Sequence, residues 1–147
     1  MNNLDKSLTF GIDIIDADHA NLFRLINIIK NECAKEISDK DELLHAVKEL
    51  RSYANTHFKR EEAIMLASNY DAFNPHRVEH EYFERMINSV FYLYQYNEEL
   101  INIHKLMDVL ELWLVNHIGI VDRAYVKTVN EFCKKFTKSK SVGTTGA

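Results

Sequence analysis

Hydrophobic residues recur at intervals of three and four along most of this chain, which is the spacing of one face of an α-helix. The first such segment runs from about residue 18 to residue 37, and its face consists of His19, Leu22, Ile26, Ile29 and Cys33. The second runs from about residue 41 to residue 67 and carries Leu43, Val47, Leu50, Ala54, His57, Glu61 and Ile64. Both segments are predicted to be long amphipathic helices.

Two further segments show the same spacing. The third, from about residue 75 to residue 96, places on one face His76, His80, Phe83, Ile87, Val90 and Tyr94. The fourth follows and ends near residue 136, and it carries Ile103, Leu106, Leu110, Trp113, His117, Ile120 and Ala124. Four amphipathic segments joined by short connections predict an all-α fold, an up-down-up-down four-helix bundle.

The two ends of the chain do not follow the helical spacing. Residues 1–17 contain apolar side chains without a helical period and are interrupted by Gly11, so we expect an extended N-terminal arm that packs across the bundle. Residues 137–147 are polar and small, which predicts a disordered C-terminal tail. A chain of 147 residues usually forms one domain, here expected to comprise residues 1–136.

Composition and charge exclude several classes of partner. Lys and Arg are spread along the chain and the net charge is -4, which disfavours nucleic acid and offers no polybasic membrane anchor. No apolar run reaches the roughly 18 residues needed to cross a bilayer, and the first residues lack a charged and then apolar leader. We therefore expect a cytoplasmic protein without membrane insertion.

Polar residues occupy six positions on these faces that aliphatic side chains would normally fill: His19, His57, Glu61, His76, His80 and His117. A single buried histidine usually has a local hydrogen-bond partner. Six uncompensated polar groups would each cost about 1–3 kcal/mol, and the sum rivals the roughly 5–15 kcal/mol stability of a whole domain. A shared metal centre removes the difficulty, because imidazole nitrogens and carboxylate oxygens become ligands.

The spacing of these residues fits a metal centre. His57 and Glu61 are four residues apart, as are His76 and His80, so each pair projects from one helix face toward a common point. An isolated HxxxH is weak evidence. Asp122 lies five residues after the last histidine of the set, about 140° further around an ideal helix, so periodicity alone does not select it.

Two other histidines, His45 and His104, lie one position off the apolar faces and lack ligand-spaced partners toward the core, so we expect both at the surface. A ferritin-type di-iron centre would need two Glu-x-x-His motifs. The chain has only Glu42-Leu-Leu-His45, which disfavours that class.

With these residues in view, the sequence resembles the hemerythrins, specifically the single-domain bacterial ones, from about Phe10 to Tyr125. GIDIIDADHANLFRLIN resembles the first-helix signature of the family, HFKREE its HxxxE motif and HRVEH its HxxxH motif. WLVNHIGIVD resembles the last motif, a histidine followed five residues later by aspartate. The resemblance adds Asp122 to the ligand set, which becomes His19, His57, Glu61, His76, His80, His117 and Asp122.

The resemblance also implies two iron ions per chain with an oxo or hydroxo bridge. The histidines of the third and fourth helices then bind one iron, those of the first two helices bind the other, and Glu61 and Asp122 bridge both. The iron with two histidines keeps an open position for dioxygen. Residues matching the ligand pocket of the family are Leu22, Phe58, Phe83, Trp113, Leu114, Ile118 and Tyr125.

Three positions depart from the common bacterial pattern. Phe10 stands where tryptophan is frequent, Asp18 replaces a frequent glutamine, and Asp71 replaces a proline. Asp18 is expected to alter the hydrogen bonding of a neighbouring histidine, and with it ligand affinity or oxidation rate.

The implied function is reversible binding of dioxygen for storage, transport or delivery, without catalysis. Alternatives are an oxygen or redox sensor, a di-iron oxidoreductase acting on oxygen, peroxide or nitric oxide, and a non-redox metal buffer. The sequence identifies no protein partner for delivery or reduction.

Overall fold

Long helices packed side by side make up the fold. The computed structural model describes residues 6–142, except for the side chains of Leu100 and of residues 139–142. The α-helices are α1 (Asp13–Cys33), α2 (Lys40–Ala67), α3 (Phe73–Tyr96), α4 (Ile103–Asn116) and α5 (Val126–Val142). Short 3₁₀ turns lie at Lys6–Leu8, Glu98–Leu100 and Arg123–Tyr125, and a π-helical segment spans His117–Asp122.

Helix α2 packs against both α1 and α3, and α4 returns to contact the same two helices. With the π-helical segment, the 3₁₀ turn and α5, α4 forms the fourth helical rod of the bundle. The predicted all-α, up-down-up-down four-helix bundle is confirmed.

The first helix begins earlier than its hydrophobic spacing predicts. It starts at Asp13 rather than near residue 18, because the Asp16 carboxylate accepts hydrogen bonds from the backbone N–H groups of Phe10 (2.8 Å) and Gly11 (3.0 Å). Gly11 has a φ of 76°, a left-handed conformation that glycine adopts without strain. The turn at Gly11 therefore ends the arm and starts the helix. At its other end, α1 stops at Cys33, four residues before the predicted limit.

Part of the N-terminal arm packs across the bundle as expected. Leu8 is buried in the main core, and Phe10 packs against both hydrophobic clusters. Residues 13–17 are helical instead of extended, and residues 1–5 of the predicted arm lie outside the described range.

The fourth rod departs from a regular helix at its centre. A π-helical turn bonds residue i to residue i+5, so it inserts one extra residue relative to an α-helical turn. Ile118 within this segment and Tyr125 and Val129 beyond it are buried, whereas Ile120 is 70% exposed and Ala124 is exposed. The predicted inward face is therefore wrong at those last two positions, because it assumed an uninterrupted period of 3.6 residues.

The C-terminal end is more helical than predicted. Helix α5 continues to Val142, so residues 137–142 of the expected tail are helical, and residues 143–147 lie outside the described range. Within residues 6–142, no helix has the length and apolar character required to cross a membrane.

Candidate metal centre

All four rods of the bundle deliver polar side chains to one buried site. Helix α1 supplies His19, α2 supplies His57 and Glu61, α3 supplies His76 and His80, and the π-helical segment supplies His117 and Asp122. Each of these seven residues is at most 2% exposed. The structure therefore brings together the complete ligand set that the sequence predicted.

The seven side chains form two overlapping groups. The three-histidine group contains Glu61, His76, His80, His117 and Asp122. The two-histidine group contains His19, His57, Glu61 and Asp122. In each group, one ligand atom from every residue lies within 4.8 Å of all the others, and the two carboxylates belong to both groups.

The Glu61 carboxylate faces both groups with different oxygens. Its Oε1 lies 3.4 Å from the Nε2 atoms of His19 and His57. Its Oε2 lies 3.2 Å from Nε2 of His80 and 3.7 Å from Nε2 of His76. One carboxylate can therefore donate an oxygen to each of two adjacent ions.

The two oxygens of the Asp122 carboxylate also face different groups. Its Oδ2 lies 3.2 Å from Nε2 of His19, and its Oδ1 lies 3.0 Å from the Nε2 atoms of His76 and His117. His117 and Asp122 are the first and last residues of the π-helical segment. Since the π-helical bond pattern joins residues five apart, it brings onto one side two residues that an α-helix would separate by about 140°.

Many of the polar atoms that converge here make no hydrogen bond within the described part of the chain. They include Nε2 of His57 and His117, Oε2 of Glu61 and both oxygens of Asp122. Buried polar atoms normally have partners. Nitrogen and oxygen atoms that crowd together without hydrogen-bond geometry are suited to share a metal ion, and a set of imidazoles and carboxylates suits iron or zinc.

The charges within the site reinforce each other. Burial alone would lower the pKa of His19 and His76, but the adjacent Asp122 and Glu61 carboxylates raise the pKa of each to about 9. Burial raises the pKa of Glu61, yet the neighbouring His57 and the other cluster histidines hold it well below its usual range. Without metal, at neutral pH, His19 and His76 are thus imidazolium groups beside the Glu61 carboxylate.

A sequence model described as "Hemerythrin HHE cation binding domain" matches residues 11–129. The chain belongs to the hemerythrin family. Family membership implies binding of non-haem iron, for which the buried cluster of histidines and carboxylates is the candidate site.

Relatives of the chain span most of its length. A bacteriohemerythrin of Pseudomonas paraeruginosa is 29% identical over 136 residues, covering 92% of this chain and 86% of the relative. A bacteriohemerythrin of Clostridium acetobutylicum is 31% identical, covering 79% and 92% respectively. Myohemerythrin-1 of Phascolopsis gouldii is 27% identical, covering 82% and 88%. A crystal structure of wild-type hemerythrin superposes with a TM-score of 0.79 at 24% identity, covering 88% of this chain and 97% of that one, which shows a shared fold.

Aromatic rings lie against one side of the three-histidine group. Phe58 stacks on the His80 ring with centroids 4.1 Å apart, and Trp113 stacks on the His117 ring at 4.5 Å. Phe83 lies between them, 5.5 Å from Phe58 and 4.9 Å from Trp113. These rings exclude water from that side of the cluster.

Trp113 is partly buried, and the remaining residues predicted to line a pocket are buried. Leu22, Leu114 and Ile118 are buried in the main hydrophobic cluster. Tyr125 is buried in the second cluster, and its hydroxyl donates a hydrogen bond to Oε1 of Glu61 at 2.8 Å. That polar contact was not anticipated from the sequence, which suggested only an apolar lining role. The pocket itself stays a prediction.

Carboxylates outside the two groups hold two of the cluster histidines. Asp18 accepts a hydrogen bond from Nδ1 of His57 at 3.1 Å, and Glu62 accepts one from Nδ1 of His80 at 2.9 Å. Burial raises the pKa of Asp18, but its hydrogen bonds from His57, Tyr53 and Arg60 hold it far below its usual range.

Sequence reasoning did not select Tyr53, Arg60 or Glu62. The first two could have been found, since they lie four residues before and three residues after His57 and so share its helix face. Glu62 meets His80 across two helices, and no sequence spacing predicts that contact.

His45 and His104 lie at the surface as expected, with side chains 72% and 48% exposed.

Proposed function

We propose that this chain binds dioxygen reversibly at a non-haem di-iron centre and serves oxygen storage, transport or delivery rather than catalysis. The proposal is carried by the orientation of two carboxylates. Glu61 and Asp122 each direct one oxygen to each histidine group. Two carboxylates arranged in this way suit a pair of adjacent metal ions better than a single ion.

The two groups offer unequal numbers of donors, which supports different roles for the two ions. The three-histidine group provides five ligand atoms and the two-histidine group provides four. The residues of the three-histidine group would hold an iron ion more completely, and those of the two-histidine group would leave room for dioxygen. A pair of ferrous ions held by these residues would supply the two electrons that dioxygen accepts on binding and returns on release.

The side chains of the protein would favour binding over further reaction. The complete burial of the ligand set and the rings of Phe58, Phe83 and Trp113 keep water from the centre. Five of the seven ligands are imidazoles, which are neutral when they bind a metal, so few anionic groups are present to stabilise highly oxidised iron. Tyr125 holds the Glu61 carboxylate in position by its hydrogen bond.

The test is to load the metal-free protein with ferrous iron under anaerobic conditions, measure the iron content and then admit oxygen. We expect about two irons per chain and a change in visible absorption that reverses when oxygen is removed. His117→Ala should lose the reversible change, whereas the surface variant His104→Ala should retain it.

Other outcomes would replace the proposal with a different function. Sustained consumption of a reductant with oxygen, peroxide or nitric oxide would indicate an oxidoreductase. Iron loading followed by irreversible oxidation without turnover would fit a redox sensor. A single bound ion, or zinc in protein purified without added metal, would indicate a metal buffer.

A further inference from the structure

Asp18 is a buried carboxylate with three hydrogen-bond donors, although it belongs to neither group of candidate ligands. Its Oδ1 accepts from the Tyr53 hydroxyl at 2.7 Å, and its Oδ2 accepts from Nδ1 of His57 at 3.1 Å and from the Arg60 guanidinium. Asp18 precedes the candidate ligand His19 on α1, but its side chain points toward α2. There it contacts His57, the second histidine of the same group.

The cluster histidines differ in how their outer ring nitrogens are held. His57 and His80 each bond to a carboxylate through Nδ1. The Nδ1 atoms of His19, His76 and His117 have no hydrogen-bond partner within residues 6–142. Each group therefore contains one histidine whose ring is fixed by an acid, His57 in the two-histidine group and His80 in the three-histidine group.

We propose that Asp18 is a positioning residue that fixes the His57 ring with Nε2 toward Glu61 and thereby sets the metal affinity of the two-histidine group. The inference rests on the metal binding in the proposed function and concerns the group expected to keep the open position. A carboxylate on Nδ1 fixes the tautomer and makes Nε2 a stronger donor. Since this group has only four ligand atoms, loss of one well-oriented donor weakens it more than the group with five.

The negative charge of Asp18, and not only its hydrogen-bonding capacity, is part of this role. The Arg60 side chain is 33% exposed and reaches in from the surface to pair with the carboxylate. An amide at position 18 could accept from His57, but it would leave Arg60 beside a neutral group and would polarise the imidazole less. Asp18→Asn therefore removes the negative charge and keeps a side chain of nearly the same shape.

The experiment is a titration of the metal-free protein with cobalt(II), followed by visible absorption and by competition with a chelator. Wild-type protein should bind two equivalents. In Asp18→Asn the affinity for one equivalent should fall about 10- to 100-fold while the other is unchanged. Glu62→Gln, the matched control, should instead weaken the second equivalent, because Glu62 contacts His80 of the other group.

A double-mutant cycle tests whether Asp18 acts through His57. In a His57→Ala background, Asp18→Asn should cause no further loss of cobalt affinity, since the histidine that it orients is absent. Additive losses would overturn the proposal, as would two unchanged equivalents in the Asp18→Asn single variant.

A milder variant covers the case in which Asp18→Asn does not fold. Tyr53→Phe removes one donor to Asp18 and leaves the carboxylate in contact with His57. It should lower the affinity of the same cobalt equivalent by a few fold, and an unchanged affinity would count against the inference. The wild-type stoichiometry tests the proposed di-iron function separately. Wild-type protein that binds no second equivalent would refute that function, whereas two wild-type equivalents with unchanged variants would refute only the role of Asp18.

Discussion

The hydrogen bond from Tyr125 to Glu61 should contribute measurably to the stability of the metal-free protein. The hydroxyl lies 2.8 Å from Oε1 of Glu61, and both side chains are almost completely buried. Burial and the nearby carboxylates raise the pKa of Tyr125 far above its usual range, so the hydroxyl remains protonated and continues to donate. A hydrogen bond to a charged acceptor contributes about 1.5–3 kcal/mol.

Tyr125→Phe deletes this donor and preserves the ring that stacks on His76. We expect the free energy of unfolding to fall by about 1.5–3 kcal/mol. For a domain of this size, that loss corresponds to roughly 3–12 °C in melting temperature. Tyr82→Phe is the matched control, because the Tyr82 side chain is 51% exposed and its hydroxyl can bond to water.

The assay is urea denaturation of chelator-treated protein, with helical circular dichroism as the signal. The two variants should unfold with similar denaturant dependence, so that the midpoints report stability alone. If Tyr125→Phe differed from wild type by less than about 0.5 kcal/mol, as surface substitutions do, the assigned role of this hydrogen bond would be refuted.

Four further predictions concern metal binding, stability and the backbone. His117→Ala should abolish or halve iron loading, measured by metal analysis, while His104→Ala leaves it unchanged because its side chain is 48% exposed. Since the pKa values of His19 and His76 are raised to about 9 without metal, metal uptake in a chelator competition should tighten as pH rises from about 7 toward 9. The same shifts stabilise the metal-free protein fully below the ordinary histidine pKa of 6.5, and this contribution should disappear as pH rises through about 9, lowering the melting temperature. Gly11→Ala should destabilise the protein by about 1–2 kcal/mol in urea denaturation, because φ is 76° there while no atom lies within 4 Å of an added Cβ.

Hydrophobic spacing was sufficient to predict the bundle, since each helix buries one continuous face and the period of that face is readable in the chain. Helix boundaries were less predictable. The start of α1 depends on the Asp16 carboxylate and the turn at Gly11, which act over a few residues and leave no periodic signal. The predicted end of the fourth helix was wrong, because α5 continues to Val142.

The candidate site was likewise predictable only in part. Polar residues on apolar faces identified six of the seven residues that the structure brings together, since burying them without a partner is costly. Asp122 required the family resemblance, because an α-helical period places it away from His117. Its position follows from the π-helical segment, which also turns Ile120 outward.

The sequence by itself determined the fold class, the family and the residues that converge at the centre, because these depend on residue types and on spacing along each helix. Only the tertiary structure decided which oxygen of Glu61 and Asp122 faces which histidine, and which acids hold His57 and His80. Those contacts join different helices, and their geometry depends on how the rods are rotated and shifted against each other. No spacing within a single helix records that arrangement.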